Sequence, residues 1–167
     1  MVKFVDEQEQ GNKEAVLGAL SSFLRAENFN SKREFIDKMD GLQFLGSVLS
    51  EKGYSARLLK KCLILVYDLA LNDDNIFEEK PTHCRETLGD NNVERLVEIL
   101  VEAGQQLDNA QFWDTRTYAL LILFRIFQVR PALVPKYHEV VTAHKLELAK
   151  KLQECEVDHQ ELFMKEI

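Results

Sequence analysis

Hydrophobic positions recur at three-and-four spacing along most of the chain, which is the period of an α-helix. The pattern is clearest over residues 41–72. Leu42, Leu45, Val48 and Leu49 fall on one face of a first helix. Leu59, Cys62, Leu63, Val66, Leu69 and Ala70 fall on one face of a second, longer one. Gly41 and Gly53 bound the first helix, where helices start or stop. Two antiparallel helices joined by a short glycine turn cannot bury that apolar side alone, so the pair predicts flanking copies of itself.

The same spacing predicts helices near 13–25, 42–52, 55–71, 92–107, 112–129 and 134–152. A short helix is expected to start at Asn30 or Ser31 and run to Met39, with Glu34 as capping-box partner of Ser31. A last short helix is expected at roughly 158–165, and an acidic-polar connector over 6–12. Residues 76–90, with Pro81 and Gly89, read as a longer loop that contains Cys84. The stretch 112–129 is apolar nearly all round, which marks a helix buried on every side, and Pro131 ends it.

Three of these helices overlay. Their core positions read Leu17, Leu63, Leu120; Leu20, Val66, Leu123; Phe23, Leu69, Ile126; and Leu24, Ala70, Phe127. The offsets are 46 residues (17 to 63) and 57 residues (63 to 120), the second enlarged by the loop around Pro81. Armadillo and HEAT repeats have periods of about 40–47 residues. The expectation is an all-α, armadillo/HEAT-like right-handed α-solenoid, one domain over 1–167, with 132–167 as C-terminal capping helices. An ordinary helical bundle is the competing architecture. The opposite faces also align: Ser21, Tyr67, Phe124; Ser22, Asp68, Arg125; and Arg25, Leu71, Gln128. In a stacked array such a ladder lines the concave surface that binds partners. Alternatively Tyr67, Ile64, Leu121 and Phe124 simply extend the core.

Composition adds exclusions. The chain has a net charge of -7 and no basic stripe, which argues against nucleic acid as partner. No apolar run is long enough to span a bilayer. Phosphate-binding glycine loops, metalloprotease helices and nucleophile elbows are all absent from the sequence. His83-Cys84 lacks further ligands at finger spacing, and His144 reads as a satisfied or partly buried histidine. Three scattered cysteines give no disulfide frame; Cys62 lies on the apolar stripe, and a bridge between Cys84 and Cys155 stays open. No catalysis, metal or cofactor is expected, and binding is. Arg57, Lys60 and Lys61 form a small basic cluster on an acidic chain, either solvated or aimed at an acidic partner.

The wording of the repeats adds a resemblance. Ala19-Leu20-Ser21-Ser22-Phe23-Leu24-Arg25, Arg33-Glu34-Phe35-Ile36, Gly41-Leu42-Gln43-Phe44-Leu45, Glu51-Lys52-Gly53 and Leu65-Val66-Tyr67-Asp68-Leu69 resemble the armadillo-type nucleotide-exchange factors of seventy-kilodalton heat-shock chaperones. The Gly-Leu-Gln, Glu-Lys-Gly and Tyr-Asp-Leu combination is most similar to the endoplasmic-reticulum branch, the SIL-type co-chaperones of BiP. The cytosolic Fes and heat-shock-70-binding-protein branch is second. The resemblance covers about residues 14–75 and fades to a helical pattern beyond. It implies a monomer that clasps a lobe of the chaperone ATPase domain, opens its cleft and speeds ADP release, with no chemistry of its own. It also implies the endoplasmic-reticulum lumen, with the cytoplasm as the alternative. Family members carry an N-terminal arm and further repeats, so the chain is expected to correspond to their C-terminal part. An armadillo scaffold without exchange activity is the competing function. The partner-binding residues expected from the concave ladder are Arg57, Lys60, Lys61, Ile64, Tyr67 and Asp68 of one helix, with Arg25 and Arg125 on its neighbours.

Overall fold

A computed structural model describes residues 7–23, 29–51, 56–105 and 110–152. The described residues are all-helical. In chain order they form α1 (Glu7–Phe23), α2 (Phe29–Lys38), α3 (Gly41–Ser50), α4 (Ala56–Leu71), α5 (Asp73–Ile76), α6 (His83–Asn91), α7 (Val93–Gly104) and α8 (Ala110–Val129). A 3-10 turn (Pro131–Leu133) then leads into α9 (Val134–Leu152).

Two rows of helices share one core. In the first, α4 packs against α1 on one side and α8 on the other. In the second, α3 meets α7 and α7 meets α9. The rows are joined by α3 against α4 and by the long α7–α8 contact. Lys60 of α4 pairs with Asp114 of α8, and Tyr67 of α4 meets Tyr118 of α8. Both partners advance together along the chain, so α4 and α8 run in the same sense. The contacts are staggered with respect to the sequence overlay, which sets Tyr67 opposite Phe124: Tyr67 meets Tyr118 instead.

Burial follows the periodic stripes. Leu17, Leu63, Leu120, Val66, Leu123, Leu69 and Ile126 are wholly buried. Residues Ala119 through Leu123 are buried in succession, since α8 is enclosed by α4, α6, α7 and α9. Cys62 is buried, and its thiol donates to the Leu45 carbonyl at 3.4 Å, tying α4 to α3.

Several boundaries differ from the sequence expectation. Residues 7–12 of the expected connector belong to α1. Asn30 and Ser31 lie within the first turn of α2 rather than at its cap. Residues 76–90 are not one loop: His83 onward is α6, and Cys84 is buried in it. The cause is long-range. The buried Asp73 carboxylate accepts the backbone N–H groups of Cys84 (2.9 Å) and Arg85 (3.0 Å), capping α6 from α5, while the local cap residue Thr82 makes no side-chain cap. At the α2–α3 turn Asp40 is left-handed (φ 49°), a conformation aspartate tolerates. Gly41 follows because a Cβ there would stand 2.5 Å from the Phe35 ring. The turn expected at Gly53 and the helix expected at 158–165 lie outside the described residues.

Candidate functional site

The candidate face is the outward stripe of α4. Arg57 and Ile64 are exposed, and Lys60, Lys61, Asp68 and Leu71 are half-buried. These positions lie within about a third of the helix circumference at 100° per residue. Leu58, Cys62, Leu63, Leu65, Val66, Tyr67, Leu69 and Ala70 are core, because α1, α3 and α8 pack against this helix.

The charges on this stripe are held by neighbouring helices. Lys60 Nζ lies 2.8 Å from Asp114 Oδ2 on α8, and Arg57 Nε lies 3.8 Å from Glu14 Oε2 on α1. Asp68 Oδ2 lies 2.6 Å from Nζ of Lys32, which reaches across from α2. Asn72 Nδ2 donates to Asp68 Oδ1 at 3.0 Å. Burial, and after it the Asp114 carboxylate, pushes the Tyr118 hydroxyl pKa up. The face therefore sets charges around Ile64, which is 36% exposed; Lys60 and Asp68 are closely paired, while Arg57 is 66% exposed and only at ion-pair range of Glu14.

Tyr67 departs from the expectation of an exposed anchor. It is only 6% exposed, and its ring packs edge-on to Tyr118 with centroids 5.8 Å apart. It lies on the α8 side of α4, so the arrival of α8 turns it from surface into core. Arg125 is half-buried on α8, and Arg25 lies outside the described residues. The structure thus brings Arg57, Lys60, Lys61, Ile64 and Asp68 to one surface, with Tyr67 beneath it.

Sequence reasoning missed Lys32, Asp114 and Glu14. Lys32 carried a readable signal: it precedes the buried Phe35 and Ile36 by three and four residues, so a lysine occupied the apolar stripe of α2. Asp114 and Glu14 carried none, since their pairing depends on how the helices stack.

A second polar cluster fixes α9. Arg116 is 2% exposed; its Nε donates to His144 Nδ1 at 2.9 Å, and its two terminal nitrogens reach Glu147 at 3.2 and 2.8 Å. His144 is thereby the satisfied, partly buried histidine read from the sequence. Burial, and after it Arg116, lowers its pKa, while Glu147 opposes.

Burial pushes the thiol pKa values of Cys62 and Cys84 up, the latter helped by Asp73, so neither is a thiolate at neutral pH. Both are free thiols, and Cys155 lies outside the described residues. Among the described residues no group of three His, Cys, Asp or Glu side chains is placed to hold a metal, and no single helix is long and apolar enough to cross a membrane. Comparison with protein families, curated proteins and solved structures gave no match.

Proposed function

We propose that this chain is an armadillo-like α-solenoid that holds a protein partner on the α1–α4–α8 face. The partner is the ATPase domain of a seventy-kilodalton heat-shock chaperone, and binding promotes ADP release. The observation that carries the reading is the α4 stripe: Arg57, Lys60, Lys61 and Asp68 surround the exposed Ile64 on a helix packed against α1 and α8. Two rows of helices, with α4 and α8 running in the same sense, support the solenoid. The motif resemblance over residues 14–75 names the partner.

The mechanism requires no catalysis by this chain. A factor that binds the open ATPase lobe better than the closed one shifts that equilibrium by its differential affinity. Nucleotide and factor must then weaken each other's binding equally. Charge pairing of Lys60 with Asp114 lowers the side-chain ordering lost on association. Lumenal location and a monomeric state belong to the same proposal, with the cytoplasm as the alternative compartment.

The test is release of a fluorescent ADP analogue from the isolated ATPase domain. Faster release on adding the chain supports exchange. Binding without acceleration favours an armadillo scaffold, and absence of binding removes the chaperone as partner.

A further inference from the structure

Little apolar contact holds α9 to the body of the fold. Over residues 134–147 Val141 alone is buried, and Leu146 is exposed. Tyr137 and Val140 are half-buried against the core. In α8, by contrast, every position from Ala119 to Leu123 is buried. A helix with so few buried contacts opens locally at a lower free energy than the core does.

A polar contact supplies the rest of the hold. Arg116 of α8 is almost wholly buried, and all three of its guanidinium nitrogens reach α9. Nε donates to His144 Nδ1 at 2.9 Å, and the terminal nitrogens donate to the two Glu147 oxygens at 3.2 and 2.8 Å. A guanidinium has only donors, so His144 serves this contact only with Nδ1 unprotonated. An imidazolium has no acceptor left, and it would set two cations face to face. Glu147 already accepts from Arg116 with both oxygens, so one carboxylate would then balance two cations. The other charged groups around α9 face elsewhere. On α7, Glu94 faces Lys136, while Glu98 and Glu102 face Arg95. On α9 itself Lys145 lies over the Phe124 ring of α8, and His138 and Glu139 are exposed. The 3-10 turn Pro131–Leu133 has no titratable side chain.

We propose that α9 is an acid-released strap: protonation of His144 loosens its hold on Arg116, and α9 lifts from α7 and α8 while the rest of the fold stays packed. Opening uncovers the apolar flank beneath Tyr137, Val140 and Val141. The undocked imidazole takes up its proton near the ordinary 6.5, and burial, with Arg116 after it, holds the docked one lower. Docking is therefore at full strength above pH 6.5 and weakens beneath it. For a histidine that titrates ordinarily when free and not at all when docked, the opening equilibrium gains about tenfold at about pH 5.5. The strap shares no residue with the α4 face and stands or falls independently of the chaperone reading.

The test is amide hydrogen exchange of the full chain at about pH 7.5 and about pH 5.5, above most carboxylate titrations, with rates corrected for the intrinsic pH dependence of exchange. Amides of α9 should be less protected than those of α4 at both pH values. Their protection should fall several-fold, up to about tenfold, at the lower one. His144→Asn keeps an acceptor for Arg116 and should remove that pH dependence. His138→Asn, on the exposed side of the same helix, should leave it in place. Glu147→Gln should lower α9 protection at both pH values, because the buried guanidinium loses its counter-ion. One protection factor shared by α9 and α4 would overturn the proposal, since α9 would then open only with the whole fold. So would α9 protection that does not change with pH, and neither comparison needs a variant. A pH dependence that survives in His144→Asn would overturn it too.

Discussion

Lys32 Nζ lies 2.6 Å from Asp68 Oδ2, and the lysine side chain is wholly buried while the aspartate is 26% exposed. Asp68 Oδ2 is itself buried, although the aspartate side chain as a whole still touches solvent and its Oδ1 accepts from Asn72. Removing either partner therefore leaves a buried charge short of its counter-ion. Asp68→Asn and Lys32→Met are each expected to destabilise the fold by about 3 kcal/mol. Urea denaturation of both variants checks this. A loss under about 1 kcal/mol for both would mean that the pair behaves as a solvated surface pair.

Leu63 is wholly buried between α4 and its neighbours. Leu63→Ala should cost about 2–5 kcal/mol, from lost transfer free energy plus the cavity left behind. Tyr67→Ala should also lower the melting temperature, because the ring is core against Tyr118. A Tyr67→Ala protein that melts like the wild type would return the ring to the surface.

Asp73 caps α6 from a distance, and Arg85 Nε lies 3.4 Å from the same carboxylate. Asp73→Ala should destabilise by about 2 kcal/mol, combining a lost helix cap with unmet buried N–H groups. Hydrogen exchange should localise the effect to the amides of Cys84 and Arg85. Unchanged protection there would contradict the cap.

Stability should fall with pH through His144. Its Nδ1 accepts from Arg116, so the folded chain holds this nitrogen unprotonated, and its pKa lies below the ordinary 6.5. The unfolded chain takes up the proton first as pH drops below 6.5, so stability is full above that pH and declines beneath it. Arg116 of α8 and Glu147 of α9 are the charged groups facing the imidazole. His144→Asn keeps an acceptor for Arg116 and should flatten the melting temperature between about pH 5 and 6.5, above most carboxylate titrations. A slope that survives the substitution would assign it to other groups.

The periodic core was legible because burial of Leu17, Leu63 and Leu120 is set by spacing alone. The two elements around Pro81 were not. α6 offers only Cys84 and Leu88 as buried residues, and its cap comes from Asp73, eleven residues before Cys84. Local reading finds breakers there and no helix signal. The α4 stripe was legible as a face, but which of its members stay exposed was not. Tyr67 and Ile64 look alike in sequence; α8 covers the first and leaves the second at 36% exposure.

The most direct test of the account is ADP release from the chaperone ATPase domain with a surface variant of α4. Lys61→Glu with Ile64→Asp changes the outward stripe and spares Lys60, which Asp114 holds. Exposed charges contribute at most about 1 kcal/mol to folding but govern association rate and its salt dependence. The wild-type chain should accelerate release of the fluorescent nucleotide, more strongly at low salt. The double variant should melt within a few degrees of wild type and accelerate release at least about tenfold less. Undiminished acceleration by the folded double variant, or none by the wild type, would contradict the account.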